Sequence, residues 1–101
     1  MDYVALLRYR SSATEADRDA ALLRRTTWQY PDEIRLIAEY WPMSSDVQVI
    51  SIFSTDKVAA LLELEFEWGN VFEIDISPAV SVDEGLRIGP EVFGRLPRLQ
   101  Q

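Results

Sequence analysis

Apolar and polar residues alternate with a period of two in four segments of the chain, and with helical spacing in two more. "YVALLRYR" (3–10) puts Tyr3, Ala5, Leu7 and Tyr9 on one face, and Val4, Leu6, Arg8 and Arg10 on the other. "IRLIAEYW" (34–41) sets Ile34, Leu36, Ala38 and Tyr40 against Arg35, Ile37, Glu39 and Trp41. "VQVISIF" (47–53) sets Val47, Val49 and Phe53 against Gln48, Ile50 and Ile52, and "VFEIDIS" (71–77) sets Phe72, Ile74 and Ile76 against Glu73 and Asp75. Side chains on a strand point alternately to opposite faces, so each segment predicts a strand with one apolar face.

Between the first two strands, "SSATEADRDAALLRR" carries two helix-start patterns, Ser12 with Glu15 and Thr14 with Asp17. Ala13, Ala16, Ala20 and Leu23 follow at helical spacing, with Asp17, Arg24 and Arg25 towards water. "STD" (54–56) introduces "KVAALLELEFEW", where Leu62, Leu64, Phe66 and Trp68 also alternate with glutamates as a strand would. A two-residue Gly69-Asn70 hairpin would pair Phe66 with Glu73 and Leu64 with Asp75, and a three-residue loop would repair that register, but the N-cap cluster and the run of Ala, Leu and Glu favour helix. The segment is therefore read as a second helix.

The order strand, helix, strand, strand, helix, strand predicts an α+β, ferredoxin-like β-α-β-β-α-β domain over residues 1–80, a four-stranded antiparallel sheet with both helices on one face. Residues 81–101 read as a C-terminal arm, not an independent domain. From residue 78 onward lie three of the four glycines and three of the five prolines. Yet Leu86, Ile88, Val92, Phe93, Leu96 and Leu99 are too many apolar residues for a free linker, which predicts an arm packed on something, with a helical turn at "PEVFG".

The face away from the helices collects Val4, Leu6, Ile37, Ile50, Ile52 and Trp41 among Arg8, Arg10, Arg35, Glu39, Gln48, Glu73 and Asp75. Left bare, it would expose more apolar surface than most soluble monomers show. A second copy of the chain is the simplest cover, so a homodimer is expected.

Composition narrows the chemistry. The chain has 101 residues, 48% hydrophobic and 27% charged, and a net charge of −7, which repels nucleic-acid phosphates and anionic membranes. No cysteine and no histidine are present, which removes thiolate nucleophiles, the commonest metal ligand and the commonest general base. A serine triad has no base here, and a cation site built on Glu39, Glu73 and Asp75 lacks any recognised ligand spacing. No metal and no cofactor is expected. "MDYVALLRYR" is the reverse of a signal peptide and no stretch reaches membrane-span length, so a cytoplasmic location is expected.

Two readings of the mixed face stand side by side. In one, it lines a lumen holding a small hydrophobic or aromatic molecule: Arg35 would stabilise an anion, Glu39 or Glu73 would act as base with a pKa raised by burial, and Arg8, Ile37, Trp41, Gln48, Ile50 and Asp75 would line the ligand. In the other, the same charges form structural ion pairs in a filled dimer interface, and the protein is a non-catalytic dimerisation module.

"LLRYR", "YPDEIRLIAEYW", "FSTDK" and "EWGNVFEIDISPAV" together resemble the dimeric α+β barrel superfamily, and most of all a small uncharacterised family within it, a domain of unknown function. The resemblance covers about residues 1–80. It implies a homodimer whose two sheets face each other. The wider superfamily includes cofactor-independent monooxygenases of polycyclic aromatics, lactone isomerases and haem-degrading proteins; the haem branch needs a histidine that this chain lacks.

Overall fold

The computed structural model describes residues 1–99; the last two residues of the expected arm lie outside the described residues. The elements run β1 (Asp2–Tyr9), α1 (Glu15–Arg25), β2 (Arg35–Tyr40), β3 (Val47–Ser54), α2 (Val58–Trp68), β4 (Phe72–Ala79) and α3 (Val82–Arg95), followed by a 3₁₀ turn at Pro97–Leu99. The four strands form one antiparallel sheet in the order β2-β3-β1-β4. This is the ferredoxin-like α+β arrangement that the alternation predicted.

Local chemistry starts and stops the helices. Thr14 caps α1 with a complete capping box: its hydroxyl accepts from Asp17 N, and the Asp17 carboxylate accepts from Thr14 N. The competing Ser12–Glu15 pattern is not used. Residues 58–68 are helical, and the geometric N-cap is Lys57. Thr55, buried at the end of β3, accepts from Lys57 N and donates to Glu33 O, tying the α2 start to the loop before β2.

The carboxyl end of α2 has no basic residue of its own. Its exposed carbonyls are taken by arginines from elsewhere: Arg10 Nε donates to Gly69 O at 2.6 Å, and Arg24 donates to Glu67 O. Both place positive charge on the negative end of the helix dipole. A side chain at Gly69 would bring Cβ within 2.4 Å of Glu65 O, so this cap needs glycine for close approach.

The core lies between the sheet and the first two helices. Ala5, Ile34, Phe53, Ala60 and Leu64 pack at one end, and Ala21, Trp68, Val71 and Phe72 at the other, with Leu7 and Trp28 touching both clusters.

Two bulges break the expected alternation. In β2, Leu36 pairs with Phe53 but Ala38 pairs with Ile52, so Ile37 is an extra residue. An extra residue exchanges the faces of everything after it. Glu39 therefore pairs with Ser51 on the helix side, while Ala38 and Tyr40 turn to the open side. The face assignment from strict alternation is thus correct for Leu36 and reversed for Ala38, Glu39 and Tyr40. In β3, Leu7 pairs with Val49 and Arg8 with Val47, leaving Gln48 extra and moving Val47 to the open face.

The arm is a 14-residue helix, where the sequence reading expected one turn. Ser81 caps it, accepting from Glu84 N. It buries none of its residues and extends the molecule to 57 × 30 × 20 Å. Among the described residues no helix is long and apolar enough to cross a membrane.

Candidate functional site: an aromatic cavity beneath the helices

A cavity of about 190 Å³ opens between the sheet and the helices. Its sheet floor includes Ala5, Leu7, Val49 and Ile74; Ala21 and Leu22 of α1 and Leu64 of α2 roof it. One wall is a run of rings. Tyr30 and Trp28 lie 4.8 Å apart, Trp28 meets Trp68 edge-on at 5.3 Å, and Phe72 stacks on Tyr9 at 4.9 Å. Helix α1 lays arginines against these rings: Arg18 over Tyr9, Arg24 over Trp68 at 4.0 Å, and Arg25 beside Trp28 and Tyr30. Arg24 and Arg25, expected to face water, instead pack their guanidinium groups on aromatic faces, which offer an electrostatic partner.

Inside this apolar shell sits one polar cluster. The Glu39 carboxylate, delivered by the β2 bulge, accepts Tyr30 OH at 2.5 Å and Arg25 Nη2 at 3.1 Å on Oε1. It accepts Arg25 Nε at 3.3 Å and Trp41 Nε1 at 2.8 Å on Oε2. Tyr30's single proton goes to Glu39, so Ser51 Oγ, 2.8 Å away, donates to the phenol oxygen. Arg25 Nη1 also donates to Trp28 O, fixing the loop that carries both aromatic residues.

The electrostatics follow from this packing. Burial pushes the Glu39 carboxyl up, but the hydrogen bonds from Arg25, Tyr30 and Trp41 and the Arg25 charge outweigh it, and its pKa is lowered. Burial first, then the bond to Glu39, raises the Tyr30 phenol above its ordinary value. At neutral pH the cluster is thus an ionised carboxylate and a neutral phenol. A carboxylate held ionised with its lone pairs filled is a structural acceptor, not a base poised by burial.

The structure divides the nine expected site residues between the two sides of the sheet. Glu39, Trp41 and Gln48 line the cavity. Arg8, Ile50, Glu73 and Asp75 lie on the open face, as the strand registers show, with Arg35 at its β2 edge. Ile37 is the exposed bulge residue. Arg8 pairs with Asp46, at 3.1 and 3.2 Å, and not with the β4 acids. Glu39 cannot share a cation with Glu73 and Asp75 across the sheet; among the described residues no group of three acids converges as a metal site.

Sequence reasoning missed Arg25, Trp28, Tyr30 and Ser51 as site residues. Ser51 carried a legible signal: a hydroxyl between Val49 and Phe53 on the core side of a strand needs a partner. Nothing in the spacing named Tyr30 as that partner.

Fold and site together define a ferredoxin-like α+β domain with an aromatic cavity between helices and sheet and an uncovered opposite face. Residues 1–93 match the family described as a domain of unknown function, DUF3303, and the chain belongs to that family. The matched span takes in most of α3. No curated protein and no solved structure matches the chain.

Proposed function

We propose that this protein is a homodimeric small-molecule-binding protein whose ligand, a small hydrophobic or aromatic compound, occupies the cavity beneath the helices. One observation carries this reading: a cavity of about 190 Å³ walled by aromatic rings and holding a single, fully hydrogen-bonded polar cluster. A volume of about 150 Å³ is enough for benzene in an apolar cavity, so one ring with substituents fits here. Apolar walls with a few convergent polar groups are the usual make-up of small-molecule sites. With Glu39 committed as an acceptor, the geometry favours binding over the isomerase- or oxygenase-like proton abstraction expected of it.

The dimer uses the other side of the sheet, so a ligand beneath the helices and a filled dimer interface are compatible, where the sequence reading set ligand and filled interface against each other on one face. On the open face, β1 and β3 carry Val4, Leu6, Ile50 and Ile52 at the centre, flanked by Glu73 and Asp75 on edge strand β4 and by Arg35 and Tyr40 on edge strand β2. A two-fold axis parallel to the strands lays the β2 edge of one copy over the β4 edge of the other, bringing Tyr40 level with Asp75 and Arg35 level with Ala79. Four strands at about 4.8 Å spacing and six to eight residues long give roughly 450 Å² per copy. That falls short of the ~800 Å² per partner of a stable interface. The apolar stripe of the 14-residue α3, roughly 20 Å long and ~10 Å wide, adds about 200 Å² if it also docks on the partner.

The test of the ligand site is native mass spectrometry of freshly purified protein, followed by thermal shift with one- and two-ring aromatic compounds. At ten times its Kd a ligand stabilises by about 1.4 kcal/mol, which raises the Tm of a chain this size by roughly 5–10 °C. No co-purifying molecule and no shift with any compound would remove this function.

A further inference from the structure

The polar end of the cavity also selects the kind of molecule it takes; this rests on the ligand-binding reading above. A carboxylate offers about four lone-pair positions. On Glu39 they are filled by Tyr30, by two Arg25 nitrogens and by Trp41.

Two of these three residues are held from behind. Arg25 also bonds Trp28 O and lies against two rings, and Tyr30 also accepts from Ser51. Trp41 is held differently. It is 53% exposed, it sits on the cavity rim beside Pro42 and Met43, and its indole N–H has one bond, to Glu39. It is the donor that can leave without unpairing another buried group.

Charge and donor supply restrict the ligand further. Among the described lining residues the only full charges are Arg25 and Glu39, and they cancel. An anion would sit beside a carboxylate with no free cation, and an unpaired buried charge costs several kcal/mol. A ligand offering only an acceptor also finds little, because the Gln48 amide nitrogen is turned to the carbonyls of Ser44 and Asp46.

We propose that the cavity takes a neutral aromatic molecule bearing an O–H or N–H donor, which replaces the Trp41 indole N–H on Glu39. Trp41 is then a built-in plug with the same chemistry as the ligand, an aromatic ring carrying a donor, and it swings outward when the ligand enters. Selectivity for a donor follows from the acceptor it vacates.

The probes are toluene, 4-methylanisole, p-cresol and p-toluate, similar in shape and differing in what they offer: nothing polar, an acceptor, a donor and an anion. Calorimetric titration of the full chain at neutral pH is expected to give p-cresol tighter than 4-methylanisole by its bond to Glu39 less the indole bond it displaces. In Trp41→Phe, where one full hydrogen bond to a charged group is gained, p-cresol is expected to be at least about tenfold tighter. Toluene is expected to match 4-methylanisole, and p-toluate to bind weakest. Trp41→Phe, on an exposed side chain, keeps a ring but removes the competing N–H; it is expected to tighten p-cresol several-fold and leave toluene unchanged. Equal affinity for p-cresol and 4-methylanisole, tightest binding by p-toluate, or weaker p-cresol binding by Trp41→Phe would each overturn the proposal while leaving the cavity as a ligand site. Failure of all four probes, toluene included, would overturn both.

Discussion

Glu39 is the residue on which the site turns. Its side chain is 11% exposed, and that of its counter-ion Arg25 is 29% exposed. Removing one member of a buried pair leaves a charge without compensation, which costs about 3–5 kcal/mol when burial is complete. With Arg25 partly solvated, Arg25→Ala is expected to lose roughly 2–4 kcal/mol in urea unfolding, and Arg25→Ala/Glu39→Gln distinctly less than the sum of the single changes. Additive losses would show that the two groups do not act as a pair. The pH dependence has a definite sign. Glu39's folded-state pKa lies below its unfolded value of 4.5, so its stabilisation is fully present above pH 4.5 and is lost as pH falls through the lower folded value. The stability gap between wild type and Glu39→Gln should stay constant from neutral pH down to about pH 4.5 and then shrink as the pH falls towards the lower folded value. A gap that does not change would contradict the ionised carboxylate.

At the scale of elements, the β2 bulge positions the site and the caps hold the helices that roof it. Deleting Ile37 removes the extra residue and makes the ladder regular, with Leu36 opposite Phe53, Ala38 opposite Ile52 and Glu39 still opposite Ser51 on the helix side. The expected result is that the aromatic-ligand thermal shift survives this deletion as it survives Ile37→Thr, because Glu39 keeps its face in both. Loss of the ligand response after the deletion alone would mean that the bulge shapes the site by more than the face it gives Glu39. On α1, Thr14→Ala removes the hydroxyl half of the capping box, leaves the backbone N–H of residue 14 on Asp17, and should cost about 1 kcal/mol in chemical denaturation. On α2, Gly69→Ala forces a contact with the Glu65 backbone carbonyl and should cost more than an ordinary surface substitution.

For the whole molecule, the open sheet face and α3 present two apolar surfaces that the described residues do not cover. Val82, Leu86 and Phe93 are 77%, 72% and 60% exposed and belong to a helix with no buried residue, so replacing them with aspartate should spare the monomer fold. Light scattering at micromolar concentration is expected to show a dimer for the wild type, a weakened dimer for the α3 variant and a monomer for Ile50→Asp. A wild-type monomer would sink the homodimer. A dimer unaffected by the α3 changes would confine the interface to the sheet.

Much of this protein follows from local chemistry. Four alternating segments, a capping box and a helix of Ala, Leu and Glu specify the element order and the ferredoxin-like sheet, because strand period, cap geometry and helix propensity act over a few residues. The same reasoning marked residues 34–41 as unusual and placed Glu39 and Trp41 together at a candidate site. It also put them on the wrong side of the sheet. A bulge is a mismatch in count between two paired strands, so Ile37 and Gln48 become extra only when β2 meets β3 and β3 meets β1. The other partners of Glu39 were out of reach for the same reason: Arg25 and Tyr30 come from a helix end and a loop, and only packing brings their donors to the carboxylate that Trp41 already accompanies. Sequence determined which elements form; tertiary pairing decided which face each side chain joined, and therefore where the cavity lies.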